Sequence, residues 1–127
     1  MSRLSKKEEQ LSETYILTEL TRSVLERDLK AFQQAPVKLK QPYIALLEKT
    51  LNTISKESFK LKEQMRDLNL NVSKQQSDDT FTEYMIFCRG YVLTAKYMNT
   101  HLRNQVADYI SRYFTSQDME GNHTQSS

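Results

Sequence analysis

Cys88, Arg89 and His101 are the side chains of this chain whose types invite a chemical reading. A cysteine becomes a nucleophile when a nearby cation, a histidine or a helix N-terminus depresses its pKa. Arg89 follows Cys88 directly, in the stretch Phe87-Cys88-Arg89-Gly90-Tyr91. The base is harder to place. His101 lies thirteen residues further on, which along one continuous helix is about 20 Å of axial rise and more than a right angle of rotation. The other histidine, His123, belongs to a polar C-terminal stretch. No Cys–His dyad is expected, and the lone Cys88 reads as a small buried residue. One cysteine and two histidines at unrelated spacings do not make a closed ligand set for a metal. Asp78, Asp79 and Glu83 gather negative charge, but acids are favoured at a helix start by the helix dipole alone. The chain has two glycines and contains no GxGxxG, GxxxxGK[ST] or HExxH motif. The expectation is a protein that is not an enzyme, with no cofactor, no metal and no evident small-molecule substrate.

A second pattern concerns phosphate. Arg89, Lys96 and Arg103 recur every seven residues, and no acidic residue interrupts Tyr84 to Ala107. On a helix these cations form a stripe that contacts phosphates, with Asn99, Thr100 and Asn104 as polar neighbours. The net charge of +2 is of mixed origin and falls short of the basic excess that argues for nucleic acid by itself. No short helix-turn-helix arrangement is evident. A small nucleic-acid-binding transcriptional regulator is therefore the alternative reading, with those three cations as its phosphate contacts.

The elements that must position these residues read as helices. Two glycines and two prolines in 127 residues suit long amphipathic helices. Ser5 and Glu8 have capping-box spacing and open a helix over about 6–33. Pro36 and Pro42 bracket its end and the start of a second helix. That helix, 42–72, carries a heptad seam of Ile44, Leu47, Leu51, Ile54, Ser58, Leu61, Met65, Leu68 and Val72. Ser73–Asp79 is a polar connection. Thr80 and Glu83 form a second capping-box candidate, opening a third helix over 81–114, kinked in one version near Gly90. The fold class expected is all-α: a bundle of three long antiparallel helices in a single domain, 1–115, followed by a disordered tail, 116–127. No apolar run approaches the roughly 20 residues that cross a bilayer, so no membrane is expected. The lone cysteine forms no internal disulfide, and a cytoplasmic location is expected.

Projected at 100° per residue, the third segment puts Phe81, Tyr84, Cys88, Tyr91, Ala95, Met98, Leu102, Val106, Tyr109 and Tyr113 on one broad face, expected to be core. Ile86, Gly90, Leu93 and Tyr97 fall opposite. The first helix also has a second apolar set, in Ile16, Leu17, Leu20 and Val24. Such a stripe either serves a partner or is absorbed by neighbours within the chain. The first option makes the protein a helical protein–protein interaction module, regulatory or adaptor in role. It would dock on a second copy or on another helical protein through Ile86, Leu93 and Tyr97, with Gly90 allowing close approach.

Overall fold

The computed structural model describes residues 4–126, with the side chains of 4–116, in the order α1 (Lys6–Gln34), α2 (Gln41–Asp67), β1 (Leu70–Ser77), β2 (Phe81–Cys88), β3 (Tyr91–Met98) and α3 (Asn99–Ser126). The expected disordered tail, 116–127, lies but for Ser116 outside the residues whose side chains are described. α1 opens on the capping box: the Ser5 hydroxyl accepts from the Glu8 amide at 3.1 Å, and the Glu8 carboxylate accepts from the Ser5 amide at 2.8 Å. It stops at Ala35, whose extended backbone suits the residue before a proline. The Lys40 ammonium donates to the Gln33 carbonyl at 2.9 Å, serving one of the carbonyls left open at the helix end. Pro42 sits in the first turn of α2, and its neighbour Tyr43 stacks on Phe32, so the two helices turn back on each other.

Ile44, Leu47, Ile54, Ser58 and Met65 of the heptad seam are buried. Leu47 and Ile54 pack with Leu25 of α1, and Met65 with Leu11, which makes the pair antiparallel. The helices bury several hydroxyls, and four of them have defined acceptors. Ser12, Thr21 and Thr50 bond back to the carbonyls of Glu8, Leu17 and Leu46 at 2.7–2.9 Å, and Ser58 donates across to Glu19 at 2.7 Å. Inward-bent hydroxyls of this kind avoid the cost of an unpaired buried donor. α2 ends before Asn69, whose φ of 52° takes the left-handed region that closes helices.

The all-α expectation is overturned beyond this point, because the chain forms a three-stranded antiparallel meander with order β1-β2-β3. The segment expected as one helix, 81–114, contains β2, a two-residue turn, β3 and the first part of α3. Phe, Tyr, Ile, Val and Thr dominate Phe81–Cys88 and Tyr91–Met98, and aromatic and β-branched side chains fit a pleated surface. Between the strands Arg89 and Gly90 both have positive φ, 49° and 83°, as a type I′ hairpin loop requires. Cys88 then pairs with Tyr91 and Ile86 with Leu93. The kink expected at Gly90 is a full reversal. Thr80 caps no helix either: its amide and that of Phe81 donate to the Asp78 carboxylate at 2.8 and 2.7 Å in the β1–β2 turn. The seam's last member, Val72, lies not on α2 but on β1, where it alternates with Leu70 onto one face and both meet the core.

That inner face rests on the helices. Thr82, Tyr84, Ile86 and Cys88 are buried along β2. Ile86, Cys88 and Leu70 join Leu4, Leu11 and Met65, while Tyr97 joins Leu17, Leu102 and Val106. Further along, Leu25 and Leu29 meet Ile110, Tyr113 and Phe114, so α3 runs parallel to α1. The second apolar set of α1 is thereby largely absorbed within the chain. Asn99 fastens the far end of the sheet: its amide donates to the Asp78 carbonyl at 2.7 Å and its carbonyl accepts from Thr82 at 2.6 Å. A Cβ added at Gly90 would meet no atom within 4 Å, so the cost of a side chain there is backbone strain alone. Gly90→Ala is expected to lower stability by about 1 kcal/mol, read from urea unfolding, and Gly90→Asn by less, since asparagine tolerates this region.

Candidate functional site: the outer face of the sheet

Strand alternation decides where the expected site residues fall. Ile86, Leu93 and Tyr97 lie on the inner face, packed on the helices, and Tyr97 meets Tyr84 edge to face with ring centroids 5.9 Å apart. Gly90 forms the hairpin turn. The four therefore make no outward stripe on a helix. The outward residues are their neighbours in sequence: Phe81, Glu83, Met85 and Phe87 on β2, and Val92, Thr94, Lys96 and Met98 on β3. The register sets them in four rows, Phe87 beside Val92, Met85 beside Thr94, Glu83 beside Lys96, and Phe81 beside Met98. Phe87, Val92 and Met98 are 37%, 49% and 52% exposed. The clusters that join helices to sheet include none of these eight residues, among the described residues. On β1 the same face carries Asn71, Ser73 and Gln76, so the apolar part is concentrated on the β2–β3 ribbon. The ammonium of Lys96 lies 5.0 Å from the centre of the Phe81 ring, a cation–π contact that holds it down on the face.

At the hairpin tip the chemistry first read at Cys88 takes another form. Glu8 of α1 is buried, and its carboxylate accepts from the Arg89 guanidinium, from the Ser5 amide and from the Cys88 thiol, with Sγ 3.6 Å away. Arg89 first, then Ser5, hold the Glu8 carboxyl down to about 2 from its ordinary 4.5, against the opposing effect of burial. Burial, followed by the charge of Glu8, pushes the Cys88 thiol up. The cysteine is thus a protonated donor, and the arginine beside it is engaged by a carboxylate.

The three cations do not form a stripe. Arg89 is in the hairpin turn, Lys96 on the outer face, and Arg103 on α3. Arg103 borders an apolar groove of about 370 Å³ between α1 and α3, with Leu20, Val24, Leu102 and Val106. Among the described residues no group of three or more His, Cys, Asp or Glu is placed to hold a metal, and no helix is long and apolar enough to cross a membrane. The sequence marks Glu8 only as a helix cap, projects Met98 onto the core side, and assigns neither Phe87 nor Val92 to a contact surface. The strand-like composition and the Arg-Gly pair were the signals for the last three.

Fold and surface together define an α+β protein in which a helical layer covers one face of a small meander and, among the described residues, leaves the other open. The match of residues 3–118 to the model of the YhjD protein family places the chain in that family. A relative from Bacillus subtilis (strain 168), described as uncharacterized protein YhjD, is 26% identical over 96 residues, covering 76% of this chain and 80% of its own length. No solved structure matches.

Because folding lowers the Glu8 pKa, its contribution to stability is complete above about pH 4.5 and is lost as pH falls toward 2. Glu8→Gln is expected to cost roughly 2 kcal/mol at pH 7 through the lost cap and charge-assisted bonds. The deficit should shrink through that acid window, as urea midpoints at a series of pH values would show.

Proposed function

We propose that this chain is a non-enzymatic protein–protein interaction module, a small cytoplasmic regulatory or adaptor protein whose contact surface is the outer face of the β2–β3 ribbon. One observation carries the reading: Phe87, Val92 and Met98 stand well exposed on a sheet face that no helix covers among the described residues, with Phe81 and Met85 beside them. Scattered apolar residues on a surface need no explanation. Here Phe87, Val92 and Met85 occupy two adjacent rows and Phe81 with Met98 a further row beyond the Glu83–Lys96 pair, and apolar clusters of this kind on one face mark contact sites on soluble proteins. Aromatic and methionine side chains are also those enriched at the centres of interfaces. The reading replaces the helix face expected from the sequence with a sheet face, and keeps the mode of action, docking of an apolar surface. The cytoplasmic placement draws on the unpaired thiol of Cys88, which a reducing compartment leaves unmodified.

Hydroxyl-radical footprinting tests the proposal through Met98. In nanomolar purified protein Met98 is expected to oxidise readily, and in the cells that produce the protein it should be protected several-fold. Equal reactivity in the two settings would refute the reading.

A further inference from the structure

We infer that the occupant of the outer face is a second copy of this chain, packed sheet to sheet about a two-fold axis parallel to the strands and midway between β2 and β3. This inference rests on the reading of that face as a contact surface. It comes from the row pattern. A two-fold axis in this position lays β2 of one copy over β3 of the other, row upon row. Phe87 then faces Val92 of the second copy and Phe81 faces its Met98, while Glu83 of each copy faces Lys96 of the other. Four of the five apolar residues meet an apolar one, Met85 faces Thr94, and the two charges of the ribbon meet their opposites twice, once in each direction.

Other two-fold arrangements of the same surfaces lose this match. An axis lying over β2 sets Glu83 against Glu83. An axis parallel to the sheet but across the strands sets Glu83 against Met85 and Lys96 against Thr94, which covers both charges with uncharged residues of the other copy. The repulsive or unpaired alternatives give the pairing its specificity. The position of the charged row also helps. It lies about 3–4 Å from the midpoint of the ribbon along the strands, where the roughly 30° crossing of packed sheets displaces facing residues least. The ribbon's footprint is about 260 Å² per copy by strand rise and spacing. That is well below the roughly 800 Å² per partner of a standard interface, so the dimer is a weak one whose population depends on concentration.

The test is molar mass by sedimentation for wild type, Glu83→Lys and Lys96→Glu between about 1 and 200 μM, together with an equimolar mixture of the two variants. Wild type is expected to approach twice the monomer mass as concentration rises. Each variant alone should associate at least about tenfold more weakly, because like charges then face each other. In the mixture one copy carries two lysines and the other two glutamates at these positions, so a heterodimer should form. This rescue separates a contact between copies from the cross-strand pair within one copy, which mixing cannot repair. A mixture that stays monomeric, or variants that dimerise as wild type does, would overturn the inference. For wild type alone, Met98 oxidation should fall with concentration over the same range, a measurement that holds even if a variant does not fold. Wild type that stays monomeric with Met98 unprotected also overturns it. Should Met98 then still be protected in cells, the contact-surface reading stands with a different partner; should it be exposed there too, both fail.

Discussion

The contact on which the arrangement depends is the buried carboxylate of Glu8. It belongs to the first turn of α1, caps that helix through Ser5, and receives the Arg89 and Cys88 side chains from the tip of the β2–β3 hairpin. A buried carboxylate is costly unless its oxygens are met by donors, and here the donors come from the two parts of the chain that must be brought together. Asn99 performs the matching task at the opposite end of the sheet, tying the β1–β2 turn to the start of α3. Pinned at both ends, the sheet cannot shift by one residue, a slip that would exchange its buried and exposed sides.

From that constraint the surface chemistry follows. With Ile86 and Cys88 held inward, Phe87 and Met85 must point outward, and likewise Val92 and Met98 on β3. α1 meets α2 along one side and α3 along another, and the inner face of the sheet along a third. The apolar outer face is thus left over by the internal packing, and its pairing of Glu83 with Lys96 gives it a pattern that a second copy of the same surface can read.

The sequence was most legible where structure is local. The Ser5–Glu8 capping box and the two prolines mark α1 and the start of α2 within a residue or two, because those signals act over three or four positions. The end of α2 was read too late, since Leu68 and Val72 keep a helical spacing by coincidence with the alternation of β1. The hairpin was missed for a related reason. Both faces of β2 carry large apolar residues, so hydrophobicity does not alternate along Phe81–Cys88 and a helical projection finds an apolar side. The positive φ at Arg89 and Gly90, which an Arg-Gly pair only hints at, was the decisive local feature. The second role of Glu8 was not legible, because Arg89 is 81 residues away in the chain. For the same reason the candidate surface was sought in Ile86, Leu93 and Tyr97, the inward partners of the residues that form it.

Membership of the YhjD family fixes the kinship of this chain, and the open sheet face gives that kinship a physical question to answer. The direct test is the rate of thiol labelling at four consecutive positions. Natural Cys88 would be compared with Met85→Cys, Ile86→Cys and Phe87→Cys, each in a Cys88→Ser background and at submicromolar concentration. A strand with one covered face requires fast labelling at 85 and 87 and protection of at least about 100-fold at 86 and 88, where labelling waits on local opening. Protection that is uniform, or that recurs every three to four residues, would contradict the fold and the surface drawn from it.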